Sequence, residues 1–185
     1  MKGSAGDIID TGGWISRNTG WMKALIRVVF GFAWLIDGSF KFTFLSSQSF
    51  LSAVRSGAGS QPHWMMPWFN FWLGVVGQHT IVWLYAIGIG ELMLGIALVF
   101  GIARKLAYSA GFVLSLFIWA VPEGLGGPYG PGSTDIGTGV IYAFVFLLFM
   151  IINSEFGTSR YSVDRILEDR IRWWKKIAEF GYKES

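Results

Sequence analysis

The chain has no cysteine among its 185 residues, only two histidines, His63 and His79, and only 15% charged residues. Without thiols it can hold no disulfide, thiolate metal site, cysteine-ligated iron–sulfur cluster or persulfide. A bis-histidine haem in a bundle would need both imidazoles, and both lie outside the long apolar runs, so neither haem nor another metal is expected. Charge is scarce against the roughly 25% of a soluble domain, whereas 52% of residues are hydrophobic and the mean hydropathy is +0.47. A folded chain of this length leaves about a third of its surface outside the core, so the apolar surplus calls for lipid. The fold class expected is therefore an all-α integral membrane protein. Proline is scarce too: Pro62, Pro67, Pro122, Pro128 and Pro131 all fall between the long apolar runs, which leaves those runs free to be unbroken helices.

A membrane-crossing helix needs roughly 20 residues, fewer where flanking cations snorkel. Four runs qualify: Trp21 to Leu45, Thr80 to Phe100, Leu106 to Val121 and Ile136 to Asn153. Residues 21–153 thus read as a four-helix transmembrane bundle between an N-terminal segment, 1–20, and a tail, 154–185. The first run is too long and too charged for a cleaved signal peptide. The third is short, but Ile102 and Ala103 extend it while Arg104 and Lys105 reach for headgroups. Twelve of the 15 lysines and arginines sit in the N-terminal segment and the start of the first run, the second connection or the tail. The external connection 46–79 holds only Arg55, so both termini are expected in the cytoplasm of a multi-pass plasma-membrane protein. From Trp64 to Gly77 that connection is apolar yet too short to span. It reads as an interfacial or re-entrant helix with Trp64, Trp68 and Trp72 on one face, either a surface anchor or a pocket wall. From Ser159 to Phe180, Val163, Ile166, Leu167, Ile171, Trp174 and Ile177 stand opposite Asp164, Glu168, Asp169, Arg172, Lys175 and Lys176. This is the pattern of an amphipathic helix on the cytoplasmic membrane surface, and its interleaved acids argue against nucleic acid.

Charges inside apolar runs are costly, so they face the bundle interior and pair. Here they are Arg27, Asp37, Lys41 and Glu91. Arg27 and Glu91 lie at similar depth from the cytoplasmic side and are expected to pair, either to fix helix register or with Glu91 relaying protons. Asp37 and Lys41, four residues apart, can form a local ion pair. Glu123 and Asp135 join them at the outer mouth, as a solvated rim or as part of a site. The glycine-rich stretch from Glu123 to Gly139 lacks the Gly-Lys-Ser/Thr of a phosphate-binding loop. It is either a set of tight turns or, beside the outward N-termini of the second and fourth runs, a weak anion site. Ser133, Thr134 or Asp135 would cap the fourth run. An anion arriving from outside would meet these residues and His79, with Lys41, Arg55 and His63 as cationic partners.

Arg27-x-x-x-Gly31 and Asp37-Gly-x-x-Lys41 in the first run, Glu91-x-x-x-Gly95 in the second, and Gly-Gly-Pro-Tyr-Gly-Pro-Gly-Ser-Thr-Asp before the fourth together resemble the DoxX/DoxD family. The likeness covers most of residues 21 to 153. It implies the membrane subunit of an archaeal-type thiosulfate:quinone oxidoreductase, which oxidises thiosulfate to tetrathionate outside the cell and reduces a membrane quinone. A small DoxA-like membrane subunit would accompany it, with terminal-oxidase or other respiratory subunits as further partners. On this reading the quinone lies between the first two runs, flanked by Trp34, Phe40 or Trp83. Asp37 and Glu91 would supply protons, and Arg27 would support Glu91. Thiosulfate would take the outer site at His79, Ser133 and Thr134. The competing reading is a non-catalytic subunit that scaffolds a respiratory complex, its charges purely structural. A solute carrier fits less well, since no inverted repeat or proline-broken run is visible.

Overall fold

The computed structural model describes residues 14–59, 61–127, 135–158 and 160–180. Among them there are helices and turns but no strand. The chain forms α1 (Trp14–Thr43), α2 (Ser47–Gly59), α3 (Met66–Gln78), α4 (Thr80–Phe100), α5 (Arg104–Ala120), α6 (Thr138–Phe156), α7 (Val163–Arg170) and α8 (Lys175–Ala178), with single 3-10 turns at His63–Met65 and Gly124–Gly126. Each of the four long apolar runs is helical over most of its length, and α1 starts seven residues earlier than Trp21. By length and composition α4 and α6 can cross a membrane, with mean hydropathy of 2.0 and 1.9. A third crossing is reached only if α1 and α2, bent by 114° at their junction, count as one broken span. Two observations set α1 and α5 apart. Every 18-residue window of Gly20–Thr43 carries three charges, and α5 has 17 residues.

Glycine brings α1 against α4. Gly31 and Gly38 are seven residues apart on α1, as are Gly88 and Gly95 on α4, so each pair lies on one helix face. A Cβ at Gly31 would come within 3.0 Å of the Gly95 carbonyl oxygen, and one at Gly38 within 3.1 Å of the Gly88 carbonyl oxygen. The two helices thus run antiparallel with their backbones in contact, held by close packing of the kind small residues permit in lipid. Helices α5 and α6 form a second antiparallel pair in which the Phe146 ring covers Gly111, and Gly139 abuts the Ser115 carbonyl. An aromatic cluster joins the pairs. Phe30 and Trp34 of α1 meet Tyr142 and Phe146 of α6 with ring centroids 5.1 to 6.2 Å apart, counting the Phe30–Trp34 contact within α1, in the edge-on and tilted geometries aromatic quadrupoles favour.

Three local expectations change. Pro67 fixes the start of α3, as proline does at a first helical turn. Trp64 is therefore left in the preceding 3-10 turn, 78% exposed, and the three indoles do not share one helical face. Trp68 Nε1 donates to the Ala120 carbonyl at 3.1 Å, while Trp72 turns in against Trp83 and Phe117. Arg104 does not snorkel: it is buried, with Nε donating to Asp164 Oδ2 at 2.8 Å and Nη2 donating to the Thr158 hydroxyl at 2.9 Å. The tail, finally, is not one amphipathic helix. It breaks between α7 and α8, and α7 buries its acids Asp164 and Glu168 while leaving Ile166 exposed. The buried guanidinium is the reason, because an uncompensated charge costs more than a solvated isoleucine. Asp164 also accepts the Ala103 and Arg104 amides, at 2.7 and 3.0 Å, and the Trp174 indole N–H at 2.8 Å. It thereby caps α5 from outside and holds Ala103 at φ +46°, a left-handed conformation that needs such support.

Candidate functional site

The register of the glycine seam decides which charges meet. With Gly31 against Gly95 and Gly38 against Gly88, Lys41 falls beside Glu91, and its Nζ lies 2.7 Å from Glu91 Oε2. That contact is an ion pair by distance but lies off the direction of a hydrogen bond, and Oε1 has no hydrogen-bond partner. Lys41 Nζ also lies 3.5 Å from Asp37 Oδ2, one helical turn back. The three side chains form a row that runs from Glu91, fully buried, to Asp37, half exposed.

Arg27 is not part of this row. The same register sets it against Gly101, where an added Cβ would meet its Nη1 at 2.5 Å. Ten residues of α4, about 15 Å of helix, separate that level from Glu91. The expected Arg27–Glu91 pair is thereby corrected: depth from the membrane edge placed them together, and glycine contact sets a different register. Arg27 Nη2 donates instead to the Tyr161 carbonyl at 2.6 Å.

A cavity of about 440 Å³ opens beside the Asp37 end of this row, between α1, α5 and α6. Its walls include Trp34, Phe40 and Tyr142, and its polar groups include Asp37, Ser115 and Glu123. Ser115 and Trp34 are almost fully buried, and among the described residues neither Ser115 Oγ nor Trp34 Nε1 has a hydrogen-bond partner. An unsatisfied buried donor is costly, so two of them on one cavity mark a place that an acceptor would complete. The volume lies within the range of small-molecule pockets, and flat aromatic walls with few polar groups are the usual lining for a planar ring. A quinone, with two carbonyl acceptors on an apolar ring, matches this donor set. No ring fits between α1 and α4, where the ligand was expected, because the glycine seam closes that space. Trp34 and Phe40 line the observed cavity, whereas Trp83 packs elsewhere, its centroid 6.1 Å from that of Phe117.

At the mouth, Glu123 Oε2 accepts the Gly139 amide in the first turn of α6 at 2.9 Å. Burial pushes the Glu123 carboxyl above its ordinary range, with Asp135 and Asp37 adding to the rise and the Gly139 amide opposing it. Asp135 Oδ1 accepts the Gly137 amide at 2.7 Å. The α6 N-terminus is therefore occupied by the protein's own carboxylate and is no open anion site. Ser133 and Thr134 lie outside the described residues. Arg55, His63 and His79 are exposed, but the two histidines stand at opposite ends of α3, about 20 Å apart along its 13 residues. Lys41 is engaged with two carboxylates. His63, His79 and Lys41 are thus not brought together as the expected outer anion site. Ser115 and Tyr142 were not singled out in the sequence; the one available signal was a hydroxyl in an otherwise apolar run. No family model, curated protein or solved structure matches the chain.

Proposed function

We propose that this chain is the quinone-reducing membrane subunit of a thiosulfate:quinone oxidoreductase, a four-span bundle with both termini in the cytoplasm. The cavity between α1, α5 and α6 carries the reading, through its two unpartnered buried donors and its aromatic walls. Further support comes from the residues behind the DoxX/DoxD resemblance. Gly31, Asp37, Lys41, Glu91 and Gly95 all belong to the α1–α4 seam and its ion pairs, next to that cavity.

The overall reaction balances without a redox group on this chain. Two thiosulfate dianions each give up one electron and join through a new S–S bond as tetrathionate. The two electrons, with two protons, convert a quinone to a quinol. Ser115 and Trp34 would hold and orient the ring by donating to its carbonyl oxygens. Asp37, half exposed, would deliver protons from the cavity wall and regain them from water or from Glu123, with Lys41 and Glu91 holding it in place. The donor end needs a partner of the DoxA type, which would share the exposed Arg55, His63 or His79 as cations for the dianion.

The test is steady-state reduction of a soluble quinone analogue by thiosulfate in the reconstituted complex. Ser115→Ala should raise the KM for the analogue about tenfold, the value of one lost hydrogen bond, and leave the thiosulfate requirement unchanged. Asp37→Asn should lower kcat at saturating substrates. Unchanged kinetics in both variants would favour the second reading, a scaffold whose charges only hold helices together.

A further inference from the structure

A second cavity, about 250 Å³, lies between the same helices at the opposite end of α1. Three cations line it, Lys23, Arg27 and Arg104, and Ile26, Leu148 and Ile152 form part of its apolar wall. The cations are not equivalent. Arg104 is committed to Asp164, Glu168 and Thr158. Arg27 is 3% exposed, yet no carboxylate lies within ion-pair distance of it among the described residues, and its Nε has no hydrogen-bond partner. Lys23 is set over the Phe156 ring, 4.7 Å from its centroid, with no carboxylate in ion-pair distance among the described residues. A buried guanidinium without a carboxylate in reach is unfavourable, and Asp164, Glu168 and Glu179 gather around Arg104 and Thr158 instead, so Arg27 and Lys23 are the cations left to take an anion in the cavity. The apolar wall bears on what brings it, because Ile26 and Leu148 are 53% and 56% exposed and the cavity thus continues into the helix surface that faces lipid.

We infer that this cavity binds an anionic phospholipid, its phosphate held by Lys23 and Arg27 and an acyl chain laid along Ile26 and Leu148. The level is that of headgroups, since Arg27 stands opposite Gly101, just past the end of α4. Basic pockets between helices at that depth are lipid headgroup sites in general. A phosphodiester without an amine supplies such an anion, whereas a choline headgroup would bring its own cation against Lys23. The inference rests on the chain being embedded in a membrane and does not depend on the quinone reading.

The experiment uses the full chain in neutral detergent, titrated with phosphatidylglycerol, phosphatidylcholine or inorganic phosphate, and reads bound lipid by native mass spectrometry together with thermal melting. Phosphatidylglycerol should be retained about tenfold more tightly than phosphatidylcholine, from two cations at about fivefold each less the cost of ordering the lipid. Lys23→Gln should weaken retention about fivefold, and Leu148→Trp, which fills the groove and keeps both cations, should weaken it as much. Arg172→Gln, at an exposed cation away from the cavity, should leave it unchanged. Equal retention of the two lipids, or equal loss in Lys23→Gln and Arg172→Gln, would overturn the site in favour of diffuse attraction. Inorganic phosphate that raises the melting temperature as phosphatidylglycerol does, undiminished in Leu148→Trp, would overturn the lipid in favour of a free anion. Flotation with vesicles of either lipid checks the membrane reading separately: a chain that floats with both but does not discriminate loses only this site, and one that floats with neither loses both.

Discussion

Glu123 and Glu168 are carboxyls outside the apolar helices whose burial pushes them above the usual 4.5, against the Gly139 amide in one case and the Thr158 hydroxyl and Arg104 in the other. A carboxyl raised in the folded state holds its proton there longer than in the unfolded chain. The folded state therefore binds more protons between the two pKa values, and stability contributed by these groups is lost as pH rises from about 4.5. Thermal melting in detergent should accordingly fall from acid toward neutral pH. Glu123→Gln, which keeps an acceptor for Gly139, should flatten part of that fall and be no less stable than the parent at neutral pH. A variant with the same pH slope as the parent would show that Glu123 does not titrate anomalously. For the seam, Lys41→Met alone leaves Glu91 buried without its cation and should cost about 3–5 kcal/mol. The double variant Lys41→Met with Glu91→Gln should recover roughly 0.5–3 kcal/mol of the summed losses. Arg27→Gln combined with Glu91→Gln should be additive, because about 15 Å of helix separates their levels. The two cycles are read by reversible unfolding in mixed micelles.

Among the helices, the seam between α1 and α4 makes a sharp contrast between two glycines, Gly38 of α1 and Gly90 of α4. A Cβ at Gly38 would stand 3.1 Å from both the Gly88 carbonyl and Glu91 Cβ, whereas one at Gly90 would meet only Leu114 at an ordinary 3.8 Å. Gly38→Ala should therefore destabilise by about 1–3 kcal/mol as overpacking, and Gly90→Ala should be neutral or stabilising by up to about 1 kcal/mol. Equal effects would mean that α1 and α4 are not in backbone contact. The sequence made the extent of α4 plain, between His79 and Gly101, and apolar composition marks the interior of α6, whereas α1 begins seven residues before its apolar run and α2, polar and short, carries no such signal. It also showed the Asp37–Lys41 pair, because contacts one turn apart are set by the helix itself. It did not show the partner of Glu91. The seven-residue glycine spacings on α1 and α4 define a register only once the helices are laid together, and depth counted from helix ends has no such precision. Ser115 stayed hidden for a related reason. A serine inside a helix ordinarily bonds back to its own backbone, and only the packing of α5 on α6 leaves this hydroxyl unpartnered beside a cavity. The tail's apolar stripe carries no sign of Arg104, whose need for carboxylates arises some 60 residues away in sequence and turns Asp164 inward.

For the whole molecule, the distribution of lysine and arginine sets one end apart. Arg160, Arg165, Arg170, Arg172, Lys175 and Lys176 belong to the tail, whereas α2 carries Arg55 alone. The absence of native cysteine makes single-thiol labelling direct. Asp169→Cys on α7 should be silent to an impermeant thiol reagent in intact cells, and Ser52→Cys on α2 should be labelled; the reverse pattern would invert the orientation. The charges on α1 also bear on the order in which the chain enters the bilayer during synthesis. No 18-residue stretch of its apolar part holds fewer than three charges, so this helix emerges from the ribosome as a poor substrate for release into lipid, and the Glu91 carboxylate that pairs with Lys41 emerges 50 residues later. Segment α4, apolar enough to insert unaided, would have to arrive before α1 could settle. Helix α1, made before α4, would then be committed only after it, held at the insertion machinery until its glycine-matched partner is beside it.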